Sequence, residues 1–177
     1  GPEPNYHWQD FTASIASMLR SIKPELVVLL GALLTDAPHS RPVPVAGSSD
    51  SPELSEELGL ELSAYEGPTG ILGVIANECG RLNIPAVSLW ASVPHYVAEP
   101  PNPKATLALL SALEDILNLP LDSGDLAEAS NAWVEQVNDL VADDPDIAGY
   151  VTSLEERRDE ASLDPNGESI AAEFERY

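Results

Sequence analysis

Residues Gly67 to Tyr96 read GPTGILGVIANECGRLNIPAVSLWASVPHY, and this stretch decides the fold class. A glycine-bearing turn, Gly67 to Gly70, opens a helical pattern that puts Ile71, Ile75, Cys79 and Leu82 on one side, with Thr69 placed to cap it. Asn83 and Pro85 end the helix. Pro85 to Val93 (PAVSLWASV) is then an apolar run of strand length whose carboxyl end delivers Pro94, His95 and Tyr96.

A helix that runs straight into a buried strand is half of a βαβ unit, so an earlier strand is expected. Leu26 to Leu30 (LVVLL) supplies it: too short for a buried helix, rich in valine and leucine, and suited to a parallel sheet covered on both faces, with Gly31 ending it. Before it, Phe11, Ile15, Met18, Leu19 and Ile22 mark an amphipathic helix from Trp8 to Ile22 that Pro24 stops. Between the two strands, Pro42 and Pro44 bracket Val43 and Val45, which suits an edge strand or extended segment, and Ala46 to Ser49 reads as loop. Ser51 and Pro52 open a short helix that ends before Gly59, and Leu60, Leu62 and Ala64 alternate with polar residues as a half-buried strand.

Beyond the central stretch, Asn102 caps a helix with Pro103 at its first position, and Leu107, Leu110, Leu113, Ile116 and Leu117 face inward. From Asp122 to Tyr177 there are sixteen acids against three bases. Here Leu126, Ala129, Trp133, Val137 and Leu140 mark one helix, while Asp144 and Pro145 start another that presents Ile147, Tyr150, Val151 and Leu154, which makes an αα-hairpin. After Gly167 a short terminal helix offers Ile170, Phe174 and Tyr177. The order argues for an α/β domain with a mostly parallel sheet over residues 1–121 and an acidic helical extension over 122–177 packed on it.

With 44% apolar and 21% charged residues in 177, the composition is that of a globular protein with a real core. A net charge of -22, thirty acids against eight bases, leaves no basic stripe for phosphates, which excludes nucleic acid and an anionic membrane surface as partners. The acidity reads as a solvated face, or as a surface for a basic partner protein. Cys79 has no cysteine to pair with and sits on an apolar helix side as an inert thiol. Neither a run of about eighteen apolar residues nor a basic-then-apolar leader occurs, so a cytoplasmic protein is expected. Gly1 to Pro4 reads like a loop that follows a strand, so the chain is expected to lack the first strands of a longer one.

The loop from Thr35 to Pro42 lies where open parallel sheets place ligands, at the carboxyl end of a strand. Thr35, Asp36, His39 and Arg41 there, with Glu78, His95 and Tyr96 on neighbouring elements, could surround a phosphate or nucleoside, since an arginine fork and a histidine donor suit an oxyanion. The competing reading is that Arg41 pairs with a local acid and His39 steadies a turn. His7, His39 and His95 have no metal-ligand spacing, and no Gly-x-Ser-x-Gly elbow, Walker loop or dinucleotide fingerprint is present, so no metal, cofactor or catalytic residue is assigned. Trp8, Trp90 and Trp133 have aliphatic neighbours and read as packing residues.

The central stretch, with the Pro100-Pro101-Asn102-Pro103-Lys104-Ala105 break and the helix ending in Leu117-Asn118-Leu119-Pro120-Leu121-Asp122, resembles the proteasome assembly chaperone family in its bacterial branch, over roughly Ala32 to Trp133. The resemblance implies a three-layer α/β/α sandwich of the phosphorylase and hydrolase-like type, a tendency to self-associate and, in eukaryotic relatives, a chaperone role in proteasome ring assembly rather than catalysis. It implies no established activity for the bacterial branch, and self-association as a trimer in preference to a dimer, with a protein partner, is expected. Phe174-Glu175-Arg176-Tyr177 departs from the hydrophobic-tyrosine-any-residue tail of some such chaperones. Two functions follow: a non-enzymatic assembly protein, or a small-ligand protein or phosphorylase/hydrolase-like enzyme using the polar rim.

Overall fold

The computed structural model describes residues 3–62 and 70–163. Thr69, Ala64 and the terminal helix with Ile170, Phe174 and Tyr177 lie outside these residues. In order, the described elements are α1 (Trp8–Ile22), β1 (Val27–Thr35), β2 (Val45–Ser49), α2 (Pro52–Leu58), β3 (Glu61–Leu62), α3 (Ile71–Arg81), β4 (Ala86–Pro94), a 3-10 turn (His95–Val97), α4 (Pro103–Leu117), α5 (Leu126–Ala142) and α6 (Pro145–Leu163). The strands form a mixed sheet in the order β1-β4-β2-β3, with β2 parallel to β3 and antiparallel to β4. The chain is therefore α/β. By contacts it divides into two compact units, the first made of residues 1–32, 45–91 and 111–120, the second of 33–44, 92–110 and 121–177.

The core of the first unit comes from α1, α3 and the strands: Ala16, Leu19, Leu29, Ile71, Cys79, Val87, Leu89 and Ala91 are all buried. Each buried valine or leucine contributes about 1.5–3 kcal/mol. In β4 the buried residues alternate, Val87, Leu89, Ala91 and Val93, with Ser88, Trp90 and Ser92 half-buried between them, so the strand is inward on one side. The β2–β4 register pairs Val45 with Ala91 and Ser48 with Ser88. At α3, Gly70 has no side chain to cap the helix, and the Glu3 carboxylate accepts from the Ile71 N–H at 2.6 Å instead. Ser51 caps α2 by accepting from the Leu54 N–H at 3.2 Å, and Gly59 closes it at φ 63°.

Three expectations about strands are corrected here. Gly31 lies inside β1 rather than at its end, because the indole of Trp90 lies against it: a Cβ at Gly31 would sit 2.3 Å from that ring. Residues 46–49 form β2 rather than a loop, and β2 is an inner strand, since the prolines at 42 and 44 precede it and leave its ladder donors intact. β1 ends the strand order and is not covered on both faces: Leu30, Leu33 and Leu34 are exposed.

In the second unit, α5 and α6 form the expected hairpin across Asp143 and Asp144. The Asp144 carboxylate accepts from the N–H groups of Asp146 and Ile147 at 3.0 and 3.3 Å, which is the cap read from Asp144-Pro145. Val137, Val151 and Leu154 are buried, whereas Leu140, expected inward, is exposed. Asn102 caps α4 by accepting from the Ala105 N–H at 2.9 Å. Among the described residues no helix is long and apolar enough to cross a membrane.

Candidate functional site

The candidate rim is built by the second unit. β1 ends at Thr35, and a loop follows in which Pro38, Pro42 and Pro44 limit the backbone, with a turn closed by Arg41 N–H to the Pro38 carbonyl at 3.3 Å. The 3-10 turn after β4 brings His95 and Tyr96, and α4 begins with Pro103 and Lys104. α5 and α6 contribute Asn138, Tyr150, Glu155 and Asp159.

His39 is the centre of this arrangement and only 3% exposed. Its backbone N–H donates to the Tyr96 hydroxyl at 2.8 Å, its Nδ1 lies 2.8 Å from the same oxygen, and its Nε2 lies 2.9 Å from Asn138 Oδ1. An amide oxygen only accepts, so Nε2 carries the hydrogen; Nδ1 is then the acceptor, and the Tyr96 O–H donates to it. These contacts fit the neutral ring in one tautomer, with its hydrogen on Nε2. Burial pushes its pKa below the ordinary imidazole value, with Lys104 adding to this, while the Asn138 bond and Glu155 pull the other way. Burial also pushes the Tyr96 phenol up.

Around that centre the rings of His39, Tyr96, His95 and Tyr150 pack edge to face, with centroids 5.5–6.2 Å apart. Asp36 accepts from the Tyr150 hydroxyl at 2.9 Å and faces His95 Nδ1 at 3.3 Å, and that same nitrogen is 3.3 Å from the Thr35 carbonyl. Lys104 donates to the backbone carbonyls of His39 and, at 2.7 Å, Arg41. Burial lowers its pKa, and Arg41 nearby lowers it further. Ser40 donates to Glu155.

Arg41 clasps Asp159 with its fork, Nε to Oδ1 at 2.8 Å and Nη2 to Oδ2 at 2.7 Å, and its Nη1 reaches Glu155 at 3.4 Å. Those bonds raise the guanidinium pKa and lower that of Asp159. The fork that would take an oxyanion is therefore filled by a carboxylate of α6.

Thr35, Asp36, His39, Arg41, His95 and Tyr96 come together in this unit. Glu78 belongs to the first unit, where Arg81 holds it at 3.0 Å and Arg20 at 3.8 Å. A shallow groove of about 470 Å³ in that unit is lined by Leu19, Arg20, Lys23, Leu82 and Ile84 among others, and contains no rim residue. Among the described residues no group of three or more His, Cys, Asp or Glu is placed to hold a metal ion.

Reading the sequence missed Lys104, Asn138, Tyr150, Glu155 and Asp159. Two signals were present: Glu155 and Asp159 stand at i, i+4 and so share a helix side, and a lysine in the first turn of α4 opposes the helix dipole, which calls for carbonyl partners elsewhere.

The profile of the PAC2 family matches residues 1–141. Among solved structures, the chain is similar to a PAC2 family protein from Streptomyces avermitilis, with 48% identity and a TM-score of 0.77 over 85% of this chain and 63% of that one. It is similar to a proteasome-assembly chaperone homologue from Mycobacterium tuberculosis, with 45% identity and a TM-score of 0.73 over 85% of this chain and 64% of that one. A Mycobacterium tuberculosis protein of unknown function matches all of this chain and 60% of its own length, with 25% identity and a TM-score of 0.85. The chain thus spans 60–64% of the length of these relatives. No protein of curated function matches it. The profile match over residues 1–141, together with two solved relatives near half identity, places this chain in the PAC2 family.

Proposed function

We propose that this chain is a chaperone-like interaction protein that acts on proteasome subunits as a homo-oligomer and carries out no catalysis. The observation that carries the reading is the 45% identity to a proteasome-assembly chaperone homologue. The rim supports it: His39, Arg41, Lys104 and Asp36 are each bonded to another group of the same unit, as in a surface built to hold its own shape. The scaffold proposed is an α/β/α sandwich with a mostly parallel sheet over 1–121, extended by the acidic helices from 122; the parallel β2–β3 pairing supports it and the antiparallel β2–β4 pairing is its exception.

The test is reconstitution. Proteasome α and β subunits from the protein's own host are mixed with and without it, and particle formation is followed by native mass spectrometry. The proposal expects a complex with free subunits and a faster or fuller yield of particles; an unchanged yield with no complex overturns it. The competing small-ligand reading needs Arg41 released from Asp159. Calorimetric titration with phosphate and with nucleosides separates the two: saturable heat that Arg41→Ala abolishes would favour the ligand.

A further inference from the structure

His39 sits where loop 36–44, the 3-10 turn and α5 meet, and each of its polar atoms has one defined role. The Tyr96 oxygen accepts from the His39 backbone N–H and donates its own hydrogen to Nδ1, while Nε2–H donates to Asn138. A second proton on the ring converts Nδ1 into a donor. The Tyr96 oxygen then faces two N–H groups, its own hydrogen loses its acceptor, and a cation is left 3% exposed. We propose that His39 is an acid-released latch: neutral, it fixes loop 36–44 against the α5–α6 hairpin, and protonated, it lets the two part.

The charged groups that face it set the sign. From α4, Lys104 opposes a proton on His39; from α6, Glu155 favours one; from its own loop, Arg41 is already spent on Asp159 and Glu155. His95 is the other histidine of the cluster, and its Nδ1 lies 3.3 Å from the Asp36 carboxylate. Burial holds His39 below its ordinary value of 6.5, so the closed form binds fewer protons than the open one. The latch is therefore fully effective above that value, begins to weaken as the pH falls through it, and is weakest below the lowered native value. Over that window the open fraction rises by at most about tenfold per pH unit, the limit for one proton. The proposal stands without the proteasome reading, because it needs only the second unit's own contacts; it supplies a condition under which the rim and hairpin would become available to a partner.

The experiment uses the full chain and two readouts. Long-range nitrogen–proton NMR of the histidine rings near neutral pH is expected to show His39 as the Nε2–H tautomer, titrating with a midpoint below 6.5. Hydrogen exchange of the 36–44 and α5 amides, corrected for intrinsic rate, should be several-fold faster near pH 5.5 than near pH 7.5, up to the ceiling of about tenfold that one proton sets. In His39→Gln, which keeps a donor toward Asn138 and cannot titrate, that dependence should vanish. An Nδ1–H tautomer, a midpoint above 6.5, or a pH dependence that persists in His39→Gln would overturn the latch. The wild-type NMR result decides the matter even where the variant does not fold.

Discussion

Gly31 and His39 show how much a single residue can specify. Because a Cβ at Gly31 would lie 2.3 Å from the Trp90 ring, Gly31→Ala must push the indole aside or bend β1. We expect a loss of about 1–3 kcal/mol, read as a lower urea midpoint with an unchanged slope; an unchanged midpoint would mean the ring is not held there. At the rim, Tyr96→Phe removes the acceptor of the His39 N–H and the donor to Nδ1 together. Loop 36–44 should then exchange faster at neutral pH, with less of the acid dependence seen in the wild type. His39, Arg41 and Asp36 could be singled out from the sequence because polar residues in a proline-stiffened loop after an apolar strand are conspicuous. Their partners could not: Asn138, Glu155 and Asp159 lie about a hundred residues away, and helical periodicity says which side they share but not what that side meets.

At the scale of elements, local chemistry was most legible where a cap or a proline fixed a boundary. Asp144-Pro145, Asn102-Pro103 and Ser51-Pro52 all begin helices as read, since each supplies an acceptor for free N–H groups and a preset φ. Asp144→Ala should cost the hairpin about 1 kcal/mol in a urea titration, whereas Asp144→Asn, which keeps the acceptor, should stay close to wild type. The strands were harder. β2, with Gly47 and two serines, carries little β signal of its own and exists through its pairing with β4, which sequence spacing does not encode. Likewise, α3 draws its cap from Glu3, 68 positions away. The Arg41 fork gives a prediction for α6: Arg41→Lys replaces two fixed bonds to Asp159 with a point charge, so proteolysis within 36–44 should quicken, and Asp159→Ala should have the same effect without an additive one in the double variant. Additive effects would mean that the two residues act separately.

For the molecule as a whole, the acidity that argues against nucleic acid is spread over a chain whose few bases are largely engaged: Arg20 and Arg81 hold Glu78, Arg41 holds Asp159, and Lys104 holds two carbonyls. A partner would therefore meet an acidic exterior, so association should weaken as salt rises if the partner surface is basic. Membership of the PAC2 family was readable from the ordered set of Gly70, Ile84-Pro85, Pro94-His95-Tyr96 and the leucine-rich α4, because those residues sit at turns and strand ends that the fold needs. The partner was not readable, since helical and strand periodicity mark which side of an element is polar but not what that side meets. The most direct test of the central claim is native mass spectrometry of the protein purified gently from its own host. The account predicts a discrete oligomer carrying proteasome subunits and no small bound mass; a monomer that holds a nucleoside or phosphate and turns it over would contradict it.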